Sequence, residues 1–150
     1  MSTVDDDVTT GDAPTAALAG AFKALSDPRR MRVLRVLLAA PETLCGCELS
    51  DILGVPDYQI SRDLKALREA GLVRDRGRSG TWVHYEPARD VNAHLSEVLE
   101  LVASSPMVAD DAARFELRHG LRERAGCVLG PGDPGVVAAF EDAGLPLLQR

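Results

Sequence analysis

Residues 44 to 85 set two helical stretches and then an alternating hairpin one after another, with scarcely a residue between them. This order constrains the fold more than any other feature of the chain. Leu44-Cys45-Gly46-Cys47-Glu48-Leu49-Ser50-Asp51-Ile52-Leu53-Gly54 reads as a short helix, with Leu49, Ile52 and Leu53 apolar and Gly54 as its C-terminal stop. Val55-Pro56 supplies a tight turn, and a second helix is predicted from about Asp57 to Ala70. With Ile60 set at zero on a helical wheel, Leu64 and Leu67 fall within about 40° of it, while Tyr58, Arg62, Lys65 and Glu69 gather opposite. One face docks and the other is free to meet a partner. Gly71 closes that helix, and Leu72 to Tyr85 reads as two strands joined by a glycine-containing, arginine-studded turn.

The flanks read as further helices. Residues 1 to 13 are acidic and polar without apolar periodicity, and read as a disordered tail. A helix is predicted from about Thr15 to Leu25, with Leu18, Phe22 and Leu25 on one buried face. Ser26-Asp27-Pro28 is a stop followed by a capped start. The next helix points Met31, Leu34, Leu37 and Leu38 inward and Arg29, Arg30, Arg32 and Arg35 mostly outward, and Pro41 ends it. Residues 88 to 104 return to helix, with Val91, Leu95, Val98 and Val102 in a stripe that suits a dimer interface. Beyond Pro106 a helix from about Val108 to Arg124 carries Val108, Ala112 and Phe115 on one side. Cys127 lies just past its end, and Gly130 to Gly135 is a break. The expected organisation is thus a tail (1 to 13), a core domain (14 to 104) and a helical extension with a tail (105 to 150).

Short helix, tight turn, amphipathic helix and basic hairpin is the order of a mainly α winged helix-turn-helix with a two-stranded β-wing, whose second helix enters the DNA major groove. A net charge of −6 argues against that class unless the charge is unevenly spread. It is: residues 1 to 55 carry 5 bases and 8 acids, 56 to 86 carry 6 and 5, and 87 to 150 carry 6 and 10. Only the middle segment is net positive, at +1. DNA affinity must therefore come from where its arginines point, doubled by dimerisation. The recognition-helix candidates are Tyr58, Gln59, Ser61, Arg62 and Lys65, suited to base edges or phosphate. Arg74, Arg76 and Arg78 of the wing are candidates for phosphate or the minor groove. Asp57, Asp63 and Glu69 would oppose the DNA backbone unless paired. Trp82 and Tyr85 read as wing core.

The run Phe22-Lys23-Ala24-Leu25-Ser26-Asp27-Pro28-Arg29-Arg30, with Leu44 to Leu49, Ile60-Ser61-Arg62-Asp63-Leu64, Gly71-Leu72-Val73 and Trp82-Val83-His84-Tyr85, resembles the arsenic-repressor (ArsR/SmtB) family over roughly residues 15 to 104. The resemblance implies a helical dimer with a wing, whose hold on operator DNA is weakened by an effector. It also implies that Leu-Cys-Gly-Cys-Glu-Leu is a motif for trivalent arsenic or antimony, and Cys45 and Cys47 its thiolates. Thiolates are soft and select soft acceptors. Residues two apart on an α-helix are turned by about 200°, so a shared ion is expected to distort that turn, with Gly46 easing the distortion. The alternative is that both cysteines are small buried hydrophobes. Cys127 is a candidate third metal ligand, from the same or the partner subunit, or an incidental cysteine; Ser50 stands where other members have a cysteine. The family often has histidine where Asp63 stands.

The family's zinc or cobalt site is incomplete: Asp90 and His94 are present without the full spacing, and zinc sensing is the lesser option. The remaining readings are the same repressor sensing cadmium, lead, thiol oxidation or persulfide, and a thiol oxidoreductase. For the last, the strand pattern around the cysteines is wrong. No catalytic cofactor and no enzymatic activity are expected. The acidic start lacks a charged leader, no apolar run spans a membrane, and three cysteines make a poor disulfide framework, so a cytoplasmic location is expected.

Overall fold

The computed structural model describes residues 12–80, 82–122 and 129–145. The expected acidic tail therefore lies almost wholly outside the described residues, as does Cys127. Helix α1 (Ala13–Ala24) leads through Ser26 into α2 (Pro28–Ala39), followed by a two-residue strand β1 (Leu44–Cys45). Helix α3 (Gly46–Leu53) and helix α4 (Asp57–Glu69) form the helix-turn-helix, and β2 (Val73–Ser79) with β3 (Trp82–Pro87) forms the wing. Helix α5 (Arg89–Leu99) runs into a 3₁₀ turn (Glu100–Val102), and α6 (Pro106–Gly120) and α7 (Pro134–Asp142) complete the described chain.

Local chemistry sets the boundaries. The Asp27 carboxylate accepts hydrogen bonds from the backbone N–H groups of Arg29 and Arg30 at 2.8 and 3.3 Å, and Pro28 fills the first helical position, where its missing N–H costs nothing. Gly54, at φ 65°, ends α3 in the left-handed region and turns the chain toward α4. Ser50 braces that turn: its Oγ donates to the Val55 carbonyl at 2.6 Å, and the Val55 N–H donates to the Ser50 carbonyl at 3.2 Å. The core lies between these elements, built from Val33, Leu34 and Leu37 of α2, Leu49, Ile52 and Leu53 of α3, Ile60, Leu64 and Leu67 of α4, Leu95 and Leu99 of α5, and Phe115. Each such side chain contributes about 1.5–3 kcal/mol on burial.

Several expectations change. The wing has a third strand: β1 pairs antiparallel with β3, in the order β1-β3-β2, with Leu44 opposite Tyr85 and Cys45 opposite His84. Helix α3 accordingly begins at Gly46 rather than Leu44, because residues 44 and 45 are extended and pair with β3. The α2 arginines are hooked inward rather than outward. Arg32 donates to both oxygens of Asp111 at 2.8 Å, and Arg35 Nη1 donates to the Leu99 carbonyl at 2.9 Å. In α1 the buried positions are Ala21 and Ala24, with Leu25 just beyond the helix, whereas Leu18 and Phe22 are exposed. The small side chains let α1 approach closely, which turns its large ones out.

The C-terminal part is built onto the helix-turn-helix. Arg118 of α6 is fully buried and donates through Nε to Asp51 Oδ2 at 2.9 Å, while Asp51 Oδ1 accepts the Gly132 N–H at 2.9 Å. Arg122 donates to both oxygens of buried Glu48, at 3.0 and 2.8 Å, and to Glu42 at 2.7 Å. Asp51 and Glu48 belong to α3, so the extension grips the helix that carries the cysteine motif.

Candidate nucleic-acid interface and thiol site

Helix α4 presents Tyr58, Ser61, Arg62 and Lys65 to solvent, with the Arg62 guanidinium carbon 5.8 Å from the centre of the Tyr58 ring. These four share one open face, as their spacing predicts. Gln59 is half-buried and sits toward α2. Asp63 is only 1% exposed: Arg29 at the start of α2 pairs with it through Nε and Nη2, and Nη2 also donates to Gln59 Oε1 at 3.2 Å. The carboxylate that threatened to repel DNA is thus neutralised inside the fold. The hydrogen bond to Asp63 pushes the Arg29 guanidinium above its ordinary range, burial opposes this, and the Asp63 charge adds to it.

In the wing Arg74, Arg76 and Arg78 are all exposed, but not equally available. Arg74 pairs with Glu86 and Arg76 lies 3.7 Å from the same carboxylate. Asp75 turns back to accept the Gly77 N–H at 2.6 Å, which shapes the tip. Arg78 has no ion pair among the described residues. Tyr85 packs against the main core, and Trp82 packs against the two cysteines.

Contrary to the expectation of a poor disulfide framework, the sulfurs of Cys45 and Cys47 are joined as a disulfide, with the Cα atoms 5.4 Å apart. The expectation that two such residues on one helix point apart does not apply. Cys45 is the N-cap of α3, with extended backbone at φ −87° and ψ 163°, so its side chain swings toward Cys47 while the helix stays intact. Both are buried, at 1% and 5% exposed. The Cys45 N–H donates to Glu48 Oε1 at 3.0 Å, so the Arg122–Glu48 pair holds the thiol turn directly. His84, opposite Cys45 in the sheet, lies with Nδ1 3.4 Å from Thr43 Oγ1, and its buried Nε2 has no hydrogen-bond partner among the described residues. Cys47 also borders a cleft lined by Ser61 and Leu64 of α4, Trp82 and Tyr85 of the wing, and Pro131. Thiols, recognition helix and wing therefore meet at one place.

Among the described residues no three His, Cys, Asp or Glu side chains are grouped to hold a metal ion, and His94 is exposed. The Asp90 side chain lies outside what is described. Ser50 is buried within α3, from where it braces the turn to α4. Sequence reasoning missed Arg29, Glu48 and Arg122. The signals were faint: an acid at the third position of a helix is a capping cue, whereas the long-range arginine pairings have no local signature.

An exposed recognition helix behind a tight turn, flanked by a basic wing, defines the chain as a winged helix-turn-helix DNA-binding regulator. A helix-turn-helix domain model matches residues 25–76. An arsenic resistance transcriptional regulator of Pseudomonas putida is 39% identical over 101 residues, covering 66% of this chain and 86% of that one. An arsenical resistance operon repressor of Escherichia coli is 37% identical over 79 residues, covering 53% and 66%. Among solved structures, a homodimeric winged helix-turn-helix DNA-binding domain from Mycobacterium bovis, titled "a possible ArsR-family transcriptional regulator", superposes with a TM-score of 0.53 at 30% identity, covering 61% of this chain and 82% of that one. The chain belongs to the arsenic-repressor (ArsR/SmtB) family of transcriptional regulators.

Proposed function

We propose that the protein is a repressor of an arsenic or antimony resistance operon, binding operator DNA as a homodimer and leaving it when Cys45 and Cys47 take up As(III) or Sb(III). The observation that carries this reading is the meeting of the two sulfurs at the start of α3, beside the cleft that α4 and the wing share. Groups able to reach each other can reach one atom between them. In the reduced form each thiol condenses with a hydroxyl of arsenous acid: one S–As bond forms, one As–O bond breaks, and one water leaves. The partial positive charge of the α3 N-terminus favours electron-rich sulfur there. Cys127 is the candidate for the third sulfur.

A metalloid wedged between the thiols must push on its neighbours, since packed interiors yield little volume. Those neighbours include Trp82 of the wing and the α3 turn that supports α4. Moving a population from nearly all bound to nearly all released requires a preference of about 5.5 kcal/mol for the low-affinity form. Two or three bonds to a soft acceptor are strong enough to supply it.

DNA contacts are assigned to Tyr58, Gln59, Ser61, Arg62 and Lys65, with Arg74, Arg76 and Arg78 on the backbone or in the minor groove. The reading is tested by a gel shift: arsenite should release the reduced protein from operator DNA, while Cys45→Ser and Cys47→Ser should keep DNA binding and ignore arsenite. Release undiminished in both variants removes the site assignment. Cys127→Ser should weaken the response if that thiol completes the set.

The disulfide favours a second reading, in which the same pair answers oxidants. Diamide should then release DNA from the wild type and not from either serine variant, whether or not arsenite does.

A further inference from the structure

Gln59 differs from the other recognition-helix candidates in that one end of its amide is already committed. Arg29 Nη2 lies 3.2 Å from it, and an arginine can only donate, so the atom facing Arg29 must be the amide oxygen. The guanidinium cannot drift away to release it, because Nε and Nη2 grip both oxygens of buried Asp63. The amide nitrogen, with two N–H donors, has no partner among the described residues.

A free glutamine reads adenine by accepting from N6 while donating to N7. Here the accepting end is turned into the α2–α4 junction, and only donors remain to face outward. We infer that Arg29, held in place by Asp63, makes Gln59 a donor-only reader, which selects the keto edge of guanine or thymine and disfavours adenine at the base pair it meets. Arg29 is a positioning residue in this scheme and Gln59 the contacting one. The inference rests on the reading that α4 lies in the operator's major groove. It belongs to this chain's own pairing of Arg29 with Asp63.

The test is selection of binding sequences from a random duplex pool by the full-length reduced protein. Gln59→Ala should flatten the preference at one base pair of each half-site, which locates the contact. There the wild type should favour guanine or thymine over adenine by about tenfold, within the range of one good base contact. Arg29→Met combined with Asp63→Leu removes both charges together, so that neither is stranded in the interior. This variant should raise adenine about tenfold relative to the keto bases at that pair and leave the other positions as they were. Adenine preferred by the wild type overturns the inference even if the double variant does not fold. It is equally overturned by a keto preference that survives in the double variant, or by no position flattening in Gln59→Ala. A pool from which the wild type selects nothing instead sinks the repressor reading beneath it.

Discussion

Single residues show how little of the chemistry can be moved without consequence. Asp27 satisfies two backbone donors at the start of α2, the helix that carries both Arg29 and Arg32. Asp27→Ala should cost about 1 kcal/mol, typical of a lost N-cap, and thermal or denaturant unfolding will show it. Tyr85 offers a test in pH. Burial pushes its phenol above the ordinary range, with the Asp75 charge adding and Arg68 and Arg78 opposing. A raised folded-state value means the unfolded chain loses this proton first. The associated stability is therefore complete below about pH 10 and is lost as the pH climbs through and beyond that value. Tyr85→Phe should lack this component. Denaturant titrations at a series of pH values from about 9 to 11.5 would count against the assignment if the two proteins declined in parallel.

At the scale of elements, α6 is as much a part of the regulator as α3. Asp51 and Arg118 are both fully buried, and breaking such a pair by removing one partner costs about 3–5 kcal/mol, because the other charge stays behind unpaired. Arg118→Leu should therefore unfold far more easily than wild type in urea, and adding Asp51→Leu should restore much of the loss. If the single and double variants are equally unstable, the pair is not the source. This coupling was invisible in the sequence: a helix of about the right length and place was legible from Val108 and Phe115, yet the partners of Arg118 and Arg122 lie 67 and 74 residues away. The thiol turn escapes the local pattern for a related reason. Helical periodicity from Leu49 onward runs back over Leu44 and Cys45 in the sequence, whereas both residues are extended and pair with β3, a strand about 40 residues further on.

For the whole molecule, the exposed apolar surface gathers on α1 and around the end of α5: Leu18 and Phe22, then Val98, Leu101, Val102 and Met107, with Leu101 82% exposed. The stripe drawn from sequence divides here. Leu95 faces the chain's own core, Val98 and Val102 face outward, and the Val91 side chain lies outside what is described. On the proposed homodimer, this outward set is the face offered to a second copy. Leu101→Glu, or Phe22→Glu, should shift sedimentation toward the monomer and weaken operator binding at least tenfold, since a monomer holds one half-site. The logarithm of affinity should also fall linearly with the logarithm of salt concentration, with a slope of about 0.9 per phosphate neutralised. A protein with net charge −6 that binds by well-aimed arginines must still show this dependence.

Apart from β1, the sequence alone determined the order and kind of the elements from α1 to α6, because period, glycine stops and a capped proline are local properties that each segment carries with it. It also determined the face that α4 leaves open and the nearness of two cysteines within one motif. Tertiary structure alone decided what those parts do to one another. Arg29 reaches across to disarm Asp63 and turn Gln59; Glu48 and Arg122 lock the thiol turn to the extension; Cys45 leaves the helix for the sheet and meets Cys47. Each of these depends on charge pairs or hydrogen bonds between residues far apart in the chain. Nothing in the local pattern specifies a partner that only folding brings within 3 Å.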